Sequence, residues 1–324
     1  SSDVCSSDLA AAAPDRLDFA RWLVSGENPL PPRVTVNHIW ARLFGRGLVR
    51  TLGDFGVRGE APNHPELLDW LAARFAGLSG PEAAPRSGPA QPWSRKQLIR
   101  LILLSTTWQQ SSQQRPELQS LDPENRLLGR QNRLRVEGEI VRDISLQSAG
   151  LLTTRIGGPS VFPPLPAGIA ELSYAGNFKW VESTGSDRYR RGLYTFFKRT
   201  APHPSLTTFD CPDANLTCIE RGISNTPLQA LVTLNNDVFA ECAVALAARL
   251  QQTADSATES RIALVCQICL GRSPQAAEQA ELQRLLLDLQ QLAVSEGLAL
   301  AAAEATAWRG LCRAILNLDE FITR

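Results

Sequence analysis

Methionine is absent from all 324 residues, so the first of them is not a translation start. We therefore expect a piece of a longer polypeptide whose true N-terminus lies upstream. The opening Ser1-Ser2-Asp3-Val4-Cys5-Ser6-Ser7-Asp8-Leu9 differs from the Leu- and Arg-rich chain that follows, and it matches the translation of a common sequencing-adapter end. Residues 1–9 are accordingly set aside as a scar, as a tag would be, and the natural chain is expected over residues 10–324.

Other scarcities exclude whole classes of function. Lys+Arg and Asp+Glu both number 33, so no net field draws the chain to nucleic acid or to anionic lipid. No run of 18 apolar residues exists, which excludes a membrane-spanning helix in this sequence. Histidine occurs only at His38, His64 and His203, never at the spacing of a metal-binding helix, so no metal site is expected. No Cys-x-x-Cys-His occurs, and no cofactor is expected in this part. A Gly-x-Ser-x-Gly nucleophile elbow is missing, and Gly157-Gly158-Pro159 lacks the Gly-Lys-Ser/Thr of a phosphate loop.

What is present is helical. A composition of 44% hydrophobic and 20% charged residues suits a globular chain with a sizeable core. Asp15 can cap a helix to Val24, and Val34, Val36, Ile39, Trp40 and Leu43 mark a second over 33–44, closed by Gly45. Helices are also expected over 65–75, 95–105, 121–130 and 134–151. In the C-terminal half they are expected over 237–250, 259–270, 275–292 and 303–316, and Pro227 opens one into Leu234. Between them, residues 152–225 are rich in proline, glycine and aromatics. Only Tyr194–Phe197 has strand character there, and Pro204–Phe209 suits one helical turn. The expected fold class is mainly α: a multi-helix bundle with a long loop-rich insertion containing little or no β-structure.

The cysteines divide into two kinds. Cys266-x-x-Cys269 falls inside the apolar stretch Ile262–Leu270, where cysteines at this spacing are ordinarily small core residues. Cys211 and Cys218 lie in a loop-rich segment, where a disulfide between them would staple the loop.

Several segments carry a family resemblance. Asn28-Pro29-Leu30 precedes Arg33-Val34-Thr35-Val36-Asn37-His38-Ile39-Trp40, and Phe44-Gly45-Arg46-Gly47-Leu48-Val49 follows. Pro62-Asn63-His64-Pro65-Glu66-Leu67-Leu68-Asp69-Trp70-Leu71 comes next, then Asp122-Pro123-Glu124-Asn125-Arg126 and Gly157-Gly158-Pro159. Thr226-Pro227-Leu228-Gln229, Leu270-Gly271-Arg272-Ser273-Pro274 and Asn317-Leu318-Asp319-Glu320-Phe321 complete the series. Together they resemble the C-terminal domain of unknown function 1553 of planctomycete cytochrome-C-associated proteins. The resemblance implies an exported protein of the periplasm or cell envelope, with c-type haem carried only in a missing upstream part. Its partners would be the upstream domains of the same polypeptide and redox or cell-envelope proteins.

Two polar clusters are candidates for function. Arg33, Asn37 and His38 share the second helix, and His64 opens the third, where its imidazole can cap backbone N–H groups. Arg135, Glu139, Arg142 and Asp143 fall at helical spacing. They read either as an anion pocket with acid–base carboxylates or as a salt-bridge lattice. The middle aromatics Tyr174, Phe178, Trp180, Tyr189, Tyr194, Phe196 and Phe197 read as a ligand groove or as a satellite core. The function expected is a scaffold or interaction module. The alternatives are an enzyme acting on a polymer or glycan through these Arg, His and Glu residues, and a small-ligand module.

Overall fold

The computed structural model describes residues 15–78, 91–166, 179–253 and 257–323. The expected scar, the loop over 79–90, and the aromatics Tyr174 and Phe178 fall outside them. The described residues form twelve α-helices and no sheet. They divide into two units that meet in sequence between Leu134 and Arg135.

The first unit holds α1 (Arg16–Leu23), α2 (Leu30–Phe44), α3 (Pro65–Ala76) and α4 (Arg95–Leu103). Asp15 caps α1 through its carboxylate, which accepts from Leu17 N and Asp18 N, while Asp18 returns a bond to Asp15 N. On α2 the prolines at 31 and 32 fit the first turn, and Gly45 ends the helix at φ 78°. Val36, Trp40 and Phe44 repeat every four residues and so form one stripe, which packs with Leu68, Leu71 and Phe75 of α3 and Leu98 and Ile102 of α4. Trp70, by contrast, is turned outward beneath the Arg74 guanidinium.

The helix expected over 121–130 does not form. The Asp122 carboxylate accepts from Arg126 N and Leu127 N, which pulls the chain into turns. Asn125 and Leu128 then adopt left-handed φ values of 52° and 56°. The Asn125 amide fixes the result by donating to Arg130 O and Asn132 Oδ1. A short polar side chain here competes with the helix and wins.

The second unit is built on α5 (Gly138–Ala149), α8 (Asp237–Gln251), α9 (Thr258–Leu270), α10 (Ala276–Ser295) and α11 (Leu300–Leu316). Leu146 of α5, Leu246 and Leu250 of α8, Ile262, Val265 and Cys269 of α9, and Trp308, Leu311 and Ile315 of α11 form its core. Cys266 and Cys269 are both buried on α9, as core residues would be. Shorter helices α6 (Pro204–Thr208), α7 (Pro227–Asn235) and α12 (Asp319–Ile322) pack around these. Among the described residues no single helix is long and apolar enough to cross a membrane.

The α5 helix begins four residues later than its sequence pattern suggests. Arg135 is drawn into an antiparallel bridge with Thr323, and Val136 N donates to Ile322 O. The loop-rich segment carries two further isolated bridges, Thr153 with Arg190 and Val161 with Thr195. Tyr194 belongs to a 3₁₀ turn over Gly192–Tyr194, so the expected strand is reduced to the single bridge at Thr195. Phe162, Trp180 and Phe196 pack ring to ring at 4.9–6.3 Å, with His203 beside Trp180. They make a satellite core.

Helix α7 is inverted. Its buried residues are Gln229 and Thr233, while Leu228 and Leu231 are 64% and 50% exposed. Inward polarity is tolerated because the Gln229 amide donates to Thr208 O and Ser224 Oγ, and Thr233 Oγ1 bonds Asn317.

Candidate functional site

The charged residues at the start of α5 are consumed by partners from distant sequence. Arg135 donates from Nε and Nη2 to Gln229 Oε1 at 3.1 and 2.8 Å, and from Nη1 to Asp319 at 2.5 Å. Glu139 accepts from Arg221 Nη1 at 2.8 Å, and the same guanidinium lies 3.1 Å from Glu137. Burial is the largest influence on Glu139 and raises its pKa, but the Arg221 bond and charge, a backbone hydrogen bond and the Cys211 contact together outweigh it and hold the carboxyl below its ordinary range. Glu139 therefore stands as an ionised, paired carboxylate.

Arg142 and Asp143 pin one continuous segment against α5. Arg142 donates to Arg188 O at 2.6 Å and to Arg190 O at 3.3 Å. Burial lowers its pKa to about 10, which leaves it charged at neutral pH. Asp143 accepts from Arg191 Nε at 2.9 Å and from the Gly192 backbone at 2.6 Å. Arg188 reaches outward to Glu241 at 2.5 Å and Glu182 at 3.0 Å. General acid–base catalysis needs a carboxyl facing space where a substrate can sit. Glu139 and Asp143 face guanidiniums instead. The helical pairing of Arg135 with Glu139 is also lost, because Arg135 precedes α5.

In the first unit the candidates have separate tasks. Arg33 Nε donates to Asp69 at 2.6 Å, linking α2 to α3. Asn37 is fully buried and closes a two-point bridge with the Val49 backbone, at 2.9 and 2.8 Å. His38 is half-buried on α2. His64 does not cap α3: its Nε2 donates to Arg126 O at 3.1 Å.

Cys211 and Cys218 are free thiols here, not a disulfide. Cys211 Sγ lies 3.7 Å from Glu139 Oε1, and Cys218 Sγ donates to Glu220 O. Burial, followed by the Glu139 charge, pushes the Cys211 thiol up to about 11, away from nucleophilic reactivity. Among the described residues no three His, Cys, Asp or Glu side chains gather as a metal site requires.

The family model described as "Protein of unknown function (DUF1553)" matches residues 15–286, which takes in the first unit and most of the second. The chain belongs to the DUF1553 family. No curated protein and no solved structure matches it.

Among the described residues of the DUF1553 chain, two clefts open to solvent stand out. One, of about 540 Å³, lies in the first unit and includes Arg46, Glu124, Arg130, Asn132 and Arg133 in its wall. The other, of about 560 Å³, is a shallow depression in the second unit beside Arg188, Tyr189 and Glu241. Neither was legible as a site in the sequence. The residues of the first are scattered over turns, and those of the second come from three separate stretches between Leu151 and Ala245. Signals touched parts of them: Phe44-Gly45-Arg46 and Asp122-Pro123-Glu124-Asn125-Arg126 in the family resemblance, and Tyr189 among the middle aromatics.

Proposed function

We propose that this chain is a scaffold or interaction module with no catalytic centre of its own, acting beside other domains of one exported polypeptide. The single observation behind this reading is the pairing of Glu139 and Asp143 with Arg221 and Arg191. A residue set that resembled acid–base machinery is spent on holding α5 to its surrounding loops. The resemblance to planctomycete cytochrome-C-associated proteins supports the larger context, in which c-type haem belongs to another domain. The cysteines of this chain do not fit haem attachment. Cys269 is followed by Leu270, and both Cys266 and Cys269 face the core.

The test is an activity screen of the purified chain on neutral and acidic polysaccharides, scored by release of reducing ends, beside Glu139→Gln and Glu241→Gln variants. We expect no turnover above that of the variants, together with a lowered melting temperature in Glu139→Gln. Turnover that disappears in a variant of unchanged stability would establish an enzyme instead.

A further inference from the structure

Arginine is concentrated around one carboxylate in the first unit. Glu124 Oε2 accepts from Arg126 Nε at 3.0 Å and Arg46 Nη1 at 3.1 Å, and Arg50 Nη1 stands 3.9 Å away. Arg130 and Arg133 add two more guanidiniums to the wall of the same cleft. Three cations thus share one carboxylate and two more line the same cleft, in a chain whose charges balance overall. The three that share Glu124 are still 40–50% exposed, so their forks keep donors for a second oxyanion. Mutual repulsion makes such a cluster costly, and a bound anion relieves it.

The wall carrying the cluster is preformed. Asp122 and Asn125 tie the turns of residues 122–132 to fixed backbone positions, and Asn132 Nδ2 donates to Phe44 O at the end of α2. Preorganised donors bind without the entropy loss of ordering a loop. The rest of the lining includes Ser112, Gln113 and Gln114, groups that both donate and accept hydrogen bonds. Its one aromatic, Phe44, is 1% exposed and stacked on Trp40, so the cleft has no platform for a nucleobase. Nor does it contain the apolar pocket that would seat peptide side chains.

We propose that this cleft binds an acidic saccharide, a short run of hydroxylated rings bearing carboxylates. The guanidiniums would take the carboxylates, in the geometry Glu124 already displays, and the amides and hydroxyl would take the ring hydroxyls. The cleft volume of about 540 Å³ is that of a small-molecule site. This goes beyond the non-catalytic reading and does not depend on it, since the cleft binds whether or not another site turns substrate over.

Calorimetric titration of the whole chain with oligogalacturonate tests the proposal, with dextran, polyglutamate and poly(U) as competing probes. Oligogalacturonate is expected to bind, to weaken as salt is raised, and to lose roughly tenfold in affinity in Arg133→Glu at unchanged melting temperature. Should that variant fail to fold, Arg130→Gln gives the same comparison. No binding, or equal affinity in a folded variant, overturns the site. Equal or tighter binding of dextran overturns the charge argument. Equal or tighter binding of polyglutamate or poly(U) overturns the saccharide assignment. Shortening of the oligomer during titration would sink the non-catalytic reading while supporting this site.

Discussion

The guanidinium of Arg190 lies over the Tyr194 ring, 3.7 Å from its centroid, while its nitrogens donate to the carbonyls of Arg155, Gly157 and Pro159. A fully buried cation is thereby held by a π face and three peptide dipoles. Lysine has three donors on a single nitrogen, with no planar face to lay on the ring and no second nitrogen to reach the carbonyls that Nη1 and Nη2 serve separately. Arg190→Lys should lower stability by about 2–4 kcal/mol, the cost of two or so charge-assisted hydrogen bonds. A urea denaturation midpoint equal to that of the parent would show that the carbonyl cradle contributes nothing.

Gly192 occupies a position where no side chain fits. A Cβ there would lie 2.6–3.0 Å from the backbone O, Cα and C of Glu139. The obstacle is helix backbone, which cannot swing aside, and moving the turn would break the Asp143 bond to Gly192 N. Gly192→Ala should destabilise the second unit by about 2–4 kcal/mol, from overpacking and the lost bond together. Thermal unfolding followed by near-ultraviolet circular dichroism will report it. A melting temperature within a degree of the parent would contradict this packing.

Acid should weaken the second unit through Glu278. Two hydrogen bonds from Arg272, then one from Gln275 N, hold its pKa down at about 2. A carboxyl depressed in the folded state contributes stability that is present above its unfolded pKa and lost as pH falls through the folded one. The window therefore runs from about 4.5 down to about 2. Denaturation curves at several pH values should show a shallower acid slope for Glu278→Gln than for the parent. Parallel slopes would remove Glu278 from the account.

His203 should act in a higher window. Burial, assisted by the nearby Arg142 charge, lowers its pKa from 6.5 to about 4, against a smaller opposing effect of its bond to Pro164 O. The unfolded chain binds the proton more readily, so stability falls as pH drops from about 6.5 to about 4 and is unaffected above that range. His203→Gln should flatten that segment of the stability profile. Direct titration of the ring by NMR would check the cause, and a pKa near 6.5 would refute it.

The long helices were legible because α2, α8, α9 and α11 carry apolar residues at the helical period. Asp15 and Gly45 were readable as caps, and each performs that task. The failures share a cause. Over 121–130 the start signal Asp122-Pro123-Glu124 suggested a helix, but the Asp122 and Asn125 side chains seized the backbone first. At α5, the bridge from Arg135 to Thr323 overrode local periodicity from 188 positions away. For the candidate site, residue type and spacing indicated where charge is dense. They could not tell that Arg221 and Arg191 would arrive from elsewhere to neutralise it.

The bridge between Arg135 and Thr323 brings the two ends of the second unit side by side. A fold closed in this way resembles a bead clasped at one point. A chain that enters and leaves at one point can be carried as an insertion without stretching its neighbours. Joining the ends by a short linker and opening the chain at an exposed loop should likewise give a permuted form of the same fold.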